Sequence, residues 1–249
     1  MVKVFILSLI GLGFCTACGG PLRDNSAQIK AHVSAAQARQ AFAIVAGIDY
    51  LPFAYVKDGC YARSLYMSME LAEQTIPSSE HYIWGDLRPN PDTEWSYHVA
   101  PLLQVNSEEP WILDPSLEAQ PLRLSAWIGK NFPVGDYTTD IKPGSAYFDE
   151  QGRTRPFDSK HMVRNFAEMP TFLTGDIASA CAVMYDYLGR ERIDPKTKRA
   201  LLLKRTEQLL TSLASLDKLQ IALGETGTSL GDNALCDQLV HDAALGLPR

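Results

Sequence analysis

The sequence predicts an α+β protein in which a cysteine opens a helix laid against an antiparallel sheet, followed by a helical C-terminal region. Three observations carry this. Residues 58–66, Asp-Gly-Cys-Tyr-Ala-Arg-Ser-Leu-Tyr, put Cys60 behind an Asp-Gly turn where an amphipathic helical pattern begins. Residues 95–105 alternate, with Trp95, Tyr97, Val99, Leu103 and Val105 assigned to one face and Ser96, His98, Ala100 and Leu102 to the other. From Gly175 onward the apolar spacing is helical.

The elements follow in order. Residues 27–47, alanine-rich, read as one helix ending near Gly47. Residues 59–74 form the next, with Leu65, Met69 and Ala72 on one stripe. Tyr82-Ile83-Trp84 is a short strand, and Asp86 to Thr93, punctuated by Pro and Asn, is a loop. Strand 95–105 follows, then a turn over Asn106–Pro110 and a strand at Trp111–Asp114. Residues 121–160 are rich in Pro, Gly, Asp and Tyr and read as irregular, with short strands around Ser145–Phe148. Helices are expected over 176–188, 195–223 and 233–245. Leu202, Leu209, Leu216 and Leu223 recur every seven residues, which fits a face packed on the protein's own body or, alternatively, a coiled-coil partner.

Composition narrows the class. A chain of 249 residues with 46% hydrophobic and 21% charged residues can bury a substantial core. The net charge of -6 offers no electrostatic attraction to nucleic acid or to an acidic membrane surface. Lys3, the apolar run Val4–Phe14 and the small-residue exit Thr16-Ala17-Cys18-Gly19 read as an export signal, the run being shorter than the ~20 residues a spanning helix needs. The exit resembles a bacterial lipoprotein processing box with Cys18 as the acylated residue, although Cys15 stands where a leucine-like residue is usual. Simple cleavage after Ala17 is the alternative. The expected organisation is a leader over 1–18, a core over 19–170 and a helical region over 171–249 packed on that core. Export, with a lipid anchor in the cell envelope or else release, is expected. Once Cys15 leaves and Cys18 is acylated, Cys60, Cys181 and Cys236 remain; a Cys181–Cys236 disulfide would leave Cys60 as the odd thiol.

The chemistry centres on Cys60. A thiol attacks as thiolate, and a helix start favours negative charge through its free N–H groups and dipole. Gly59 permits the tight turn that would project the sulfur. Burial as a small apolar residue is the bland alternative. Of five histidines, His98 is the best base, on a strand face with the small residues Ser96 and Ala100. Asp114, a charge directly after Trp-Ile-Leu and before Pro115, would orient it. A hairpin centred near Asn106 sets His98 opposite Asp114; one centred on Glu108 sets Asp114 opposite Leu102. Cys, His and Asp in this order, on a helix start and neighbouring strands, is the arrangement of the papain and transglutaminase folds.

Three blocks carry a closer resemblance: Leu51–Tyr55 leading to Asp58-Gly59-Cys60-Tyr61-Ala62-Arg63, then Trp95-Ser96-Tyr97-His98-Val99-Ala100, then Ile112-Leu113-Asp114-Pro115-Ser116-Leu117. Together they resemble the bacterial protein-glutaminases, over about residues 50–130. The resemblance implies that Cys60 is the nucleophile, His98 the general base and acid, and Asp114 its orienting group. The implied reaction deamidates glutamine in a protein or peptide through a thioester, with no metal or organic cofactor. Trp95, Tyr97 and Tyr61 are the candidate substrate-binding residues, with ordinary strand packing the alternative for the first two. With so short a stretch between the leader and Leu51–Tyr55, a full inhibitory pro-segment like that of secreted family members is not expected, and the region beyond residue 175 lies outside the resemblance. A transglutaminase, a cysteine peptidase or amidase with the same three residues, and a non-catalytic envelope binding module are the competing readings.

Overall fold

The structure, a computed structural model, describes residues 32–106, 109–133, 135–145, 147, 172–191, 193–215, 219–220, 236 and 238. Helix α1, Ala35–Ala46, starts where Ser34 forms a reciprocal cap: its Oγ accepts from the Gln37 N–H at 3.2 Å, and Gln37 Oε1 accepts from the Ser34 N–H at 2.8 Å. The cap explains why residues 32–34, expected to be helical, are extended instead, with Val33 bridging Val105. Helix α2, Cys60–Glu73, is buried from Cys60 to Ala72. Such all-round burial marks the central helix of a domain.

The chain then builds β1, Ser79–Asn90, and β2, Thr93–Leu103, as one long hairpin, followed by the short β3, Trp111–Ile112, and β4, Leu122–Arg123. Helix α3, Leu124–Asn131, and β5, Tyr137–Pro143, complete a five-stranded antiparallel sheet of order β4-β3-β2-β1-β5. Tyr82, Val99 and Leu103 pack in the core that contains α2, whereas Ile83, Leu87, Ala100, Leu102 and Ile112 form a second cluster with Trp127 of α3 and Phe132. The fold is therefore α+β with both sheet faces covered. Beyond it lie β6, Phe172–Leu173, then α4, Thr174–Leu188, and α5, Pro195–Ser215, with β7, Leu219–Gln220, pairing parallel to β6. Helix α5 is tied to α2 by Arg205, whose Nε donates to Glu70 at 2.7 Å, and by the Tyr66–Thr206 hydroxyl pair at 2.5 Å.

Several expectations are corrected. The loop assigned to 86–93 is strand on both sides of a Pro91-Asp92 turn, because the Pro and Asn residues sit at the hairpin's tip and the register slips past Gly85 without ending the pairing. Residues 121–143 hold a strand, a helix and a second strand rather than irregular chain. Short elements do not repeat long enough to show a period. Gly144 and Ser145 form a turn where a strand was expected. Residues 219–220, expected to be helical, are a strand. Cys236 and Gln238 are helical; the rest of 233–245 lies outside the described residues, as do the 1–18 leader with Cys18 and the register positions Leu216 and Leu223. Leu202 and Leu209 are buried in the main core, and Cys181 and Cys236 are joined as a disulfide with Cα atoms 5.9 Å apart.

Candidate active site

Cys60 is the first residue of α2, 8% exposed, and the one free cysteine among the described residues. Gly59 precedes it at φ 83°, a conformation that glycine adopts without strain. The loop before it is fixed from within by Arg63, whose Nη1 donates to the carbonyls of Tyr55 at 2.9 Å, Asp58 at 3.0 Å and Pro52 at 3.4 Å. Burial lowers the pKa of this guanidinium, while Cys60, Asp114 and Asp58 favour its charge. A buried arginine satisfied by carbonyl oxygens costs less than an unpaired one. Here it orders the turn that aims the thiol.

His98 lies on β2, and its Nε2 stands 2.9 Å from Asp114 Oδ2, both side chains about 2% exposed. The Asp114 carboxylate also accepts from Trp127 Nε1 at 3.2 Å on Oδ2 and from the Ser116 N–H at 3.2 Å on Oδ1. The imidazole is stacked on Trp95, ring centres 4.7 Å apart, and on Trp127 at 5.9 Å. Trp95 is itself anchored by Nε1 donating to the Val56 carbonyl at 3.0 Å. Burial opposes charge on His98, but Asp114, through charge and hydrogen bond, and then Cys60 outweigh it and push the pKa up to about 9. His98 Nδ1 is buried without a hydrogen bond of strict geometry, and the thiol lies close enough to favour the protonated ring.

The neighbouring histidine behaves oppositely. His81 is buried edge-on to Trp127, and burial, with His98 adding repulsion, pulls its pKa down to about 4. Only one of the two can carry charge at neutral pH. Cys60 and His98 open on a cavity of about 150 Å³ with Asp58, Arg63, Trp95 and Tyr97 among its walls. That volume is well above what a single water needs and admits a carboxamide side chain.

The structure brings Cys60, His98 and Asp114 together, but not in either register considered from sequence. Leu102 faces Ile112 and Leu103 faces Trp111, so Asp114 stands diagonally from His98 beyond the end of β3. Long side chains bridge such a diagonal. Trp95 packs in the cluster on the His98 face, not with Tyr97 and Val99 as alternation implied, because the hairpin is irregular beyond Trp84. Tyr97 stacks on Trp84 at 5.0 Å and lines the cavity. Tyr61 does not line it: it is 3% exposed and lies edge-on to Tyr147 in the core. Trp127 and Arg63 were missed. A buried arginine has no sequence signature beyond its place on a helix face that is otherwise apolar, and Trp127 lay in a stretch read as irregular. Among the described residues no three His, Cys, Asp or Glu side chains converge as a metal site.

Residues 28–131, under half of the chain, match the family model described as Glutaminase. This agrees with the three sequence blocks and supports glutamine deamidation as the general class of reaction. No curated protein sequence matches. Similar solved structures are a crystal structure of protein-glutaminase, at TM-score 0.44 and 22% identity over 52% of this chain and 82% of that one, and an NMR structure of protein-glutaminase from Chryseobacterium proteolyticum, at 0.42 and 22% over 52% and 83%. The A47Q2 mutant of pro-protein-glutaminase is similar at 0.44 and 21%, over 54% of this chain and 57% of its own.

Proposed function

We propose that this chain deamidates glutamine side chains of proteins or peptides, with Cys60 as nucleophile, His98 as proton carrier and Asp114 as the group that orients it. The observation that carries this is a buried imidazole held by Asp114 at 2.9 Å, with its pKa raised to about 9, beside the thiol at a helix start. At neutral pH such an imidazole holds the proton that the thiol gives up. The thiolate attacks the carboxamide carbon, and the oxyanion is received by N–H groups of the first turn of α2, which lack intrahelical partners. His98 gives its proton to the leaving nitrogen; the C–N bond breaks and ammonia departs, leaving a thioester. Water then adds to the thioester as His98 takes a proton, the C–S bond breaks, and glutamate and the thiol are restored.

Ammonia release from a glutamine-containing peptide, with mass spectrometry of the product, tests the reading. Deamidation adds about one mass unit per glutamine, and Cys60→Ala should abolish it. Cross-linked product would indicate transfer to an amine, and fragments peptide cleavage; either would replace deamidation as the activity. Export with a lipid on Cys18 is proposed from the sequence alone. Loss of acyl labelling in Cys18→Ser is the expected result.

A further inference from the structure

The end of α4 touches the nucleophile's loop at three successive points. Tyr187 Oη donates to Asp58 Oδ2 at 2.5 Å, Arg190 Nη1 donates to Tyr55 Oη at 3.2 Å, and Glu191 Oε1 accepts from the Ala54 N–H at 3.1 Å. The rings of Tyr55 and Tyr187 lie 4.6 Å apart, and the Arg190 guanidinium sits 5.1 Å over the Tyr187 ring. Asp58, held this way on Oδ2, accepts on Oδ1 from the Gly59 N–H at 2.6 Å. The fit at Gly59 is equally close: a Cβ there would stand 2.7 Å from the Tyr187 ring. All three clasping residues lie outside the 28–131 match.

Resting on the reading of Cys60 as nucleophile, we infer that Tyr187 is a positioning residue: by holding the Asp58 carboxylate and packing on Gly59, it fixes the turn that presents the Cys60 thiol and the first N–H groups of α2 to the substrate. Arg63 holds the same loop from the interior through its carbonyls, so the turn is clamped between a buried cation and a helix supplied by the C-terminal region. Part of that region thereby belongs to the active site without touching substrate. A sub-ångström drift of a nucleophile is costly, since rate depends steeply on approach geometry.

The test compares Tyr187→Phe, which keeps the ring on Gly59 and removes only the hydroxyl, with Asp58→Asn and the double variant in the full chain. Expected for Tyr187→Phe is a fall of roughly 3- to 10-fold in kcat with KM little changed, since one hydrogen bond to an exposed carboxylate is lost. Alkylation of Cys60 by iodoacetamide, followed on its own peptide by mass spectrometry, should slow in step. Because the two groups share one bond, Tyr187→Phe should add little in the Asp58→Asn background. A lower melting temperature with unchanged kcat and unchanged alkylation would overturn the inference, as would additive effects of the two substitutions. If the unsubstituted protein turns over no glutamine, the deamidation reading fails while the alkylation rates still decide this one: slower in Tyr187→Phe supports it, and equal rates refute it.

Discussion

Glu80 is a carboxyl with no room to ionise, and replacing it should stabilise the protein. It lies on β1, 0% exposed; Oε2 accepts from Tyr82 Oη at 2.9 Å, while Oε1 and the Ser64 Oγ on α2 make no hydrogen bond of strict geometry. Its register neighbour on β5, Lys142, is paired with Asp140. Burial raises the Glu80 pKa well above its ordinary value; Tyr82 and Ser64 oppose this only in part, and the nearby Cys60 adds to it. The folded state therefore keeps the proton, and the acid can donate toward Ser64 when protonated. The unfolded chain releases that proton above pH about 4.3, so stability falls as pH rises from there to the folded-state pKa, by about 1.4 kcal/mol per pH unit. Glu80→Gln keeps the shape, offers an amide donor toward Ser64 and removes the slope. Urea denaturation at pH 5, 6 and 7 checks this: the variant's advantage should widen as pH rises, by at most about 1.4 kcal/mol per unit, and level off once the folded-state pKa is passed. An advantage or deficit that stays constant with pH would refute the reasoning, because Glu80 would then titrate alike in both states.

Two further outcomes follow from the site and the helices. Asp114→Asn should lower kcat by about 10²–10⁴-fold. It should also bring the His98 pKa down from about 9, moving the alkaline limb of the pH–rate profile to lower pH and removing stabilisation that the native pair holds below pH about 6.5 and loses as pH rises through about 9. Replacing both Cys181 and Cys236 by serine should lower stability by up to about 4 kcal/mol, the loop-closure value for their separation of 55 residues, read as a drop in urea midpoint that reductant reproduces in the parent protein.

The three groups of the site were legible because each stands in a local pattern that chemistry requires: a cysteine after a glycine at a helix start, a histidine among small residues on an alternating strand, an aspartate following an apolar run. Their spatial relation was not, because a hairpin's register depends on turn geometry, and a slip of one residue changes every opposing pair. The Trp127 indole reaches Asp114 from a helix that begins directly after a two-residue strand, too brief for periodicity to register. Glu80 gave no sign in sequence of being a buried acid, since it lies ahead of the short strand Tyr82–Trp84 that the sequence shows.

By itself the sequence determined the α+β class, the helix that Cys60 opens and the strand that carries His98, and it singled out Cys60, His98 and Asp114 as candidates, all from local spacing and residue type. Tertiary structure alone decided the diagonal His98–Asp114 pairing, the stacking of Trp95 and Trp127 on the imidazole, and the clasp of Tyr187 on Asp58. Those contacts join residues up to 129 positions apart. Nothing in either segment names its partner, because packing chooses it only when the whole chain has closed.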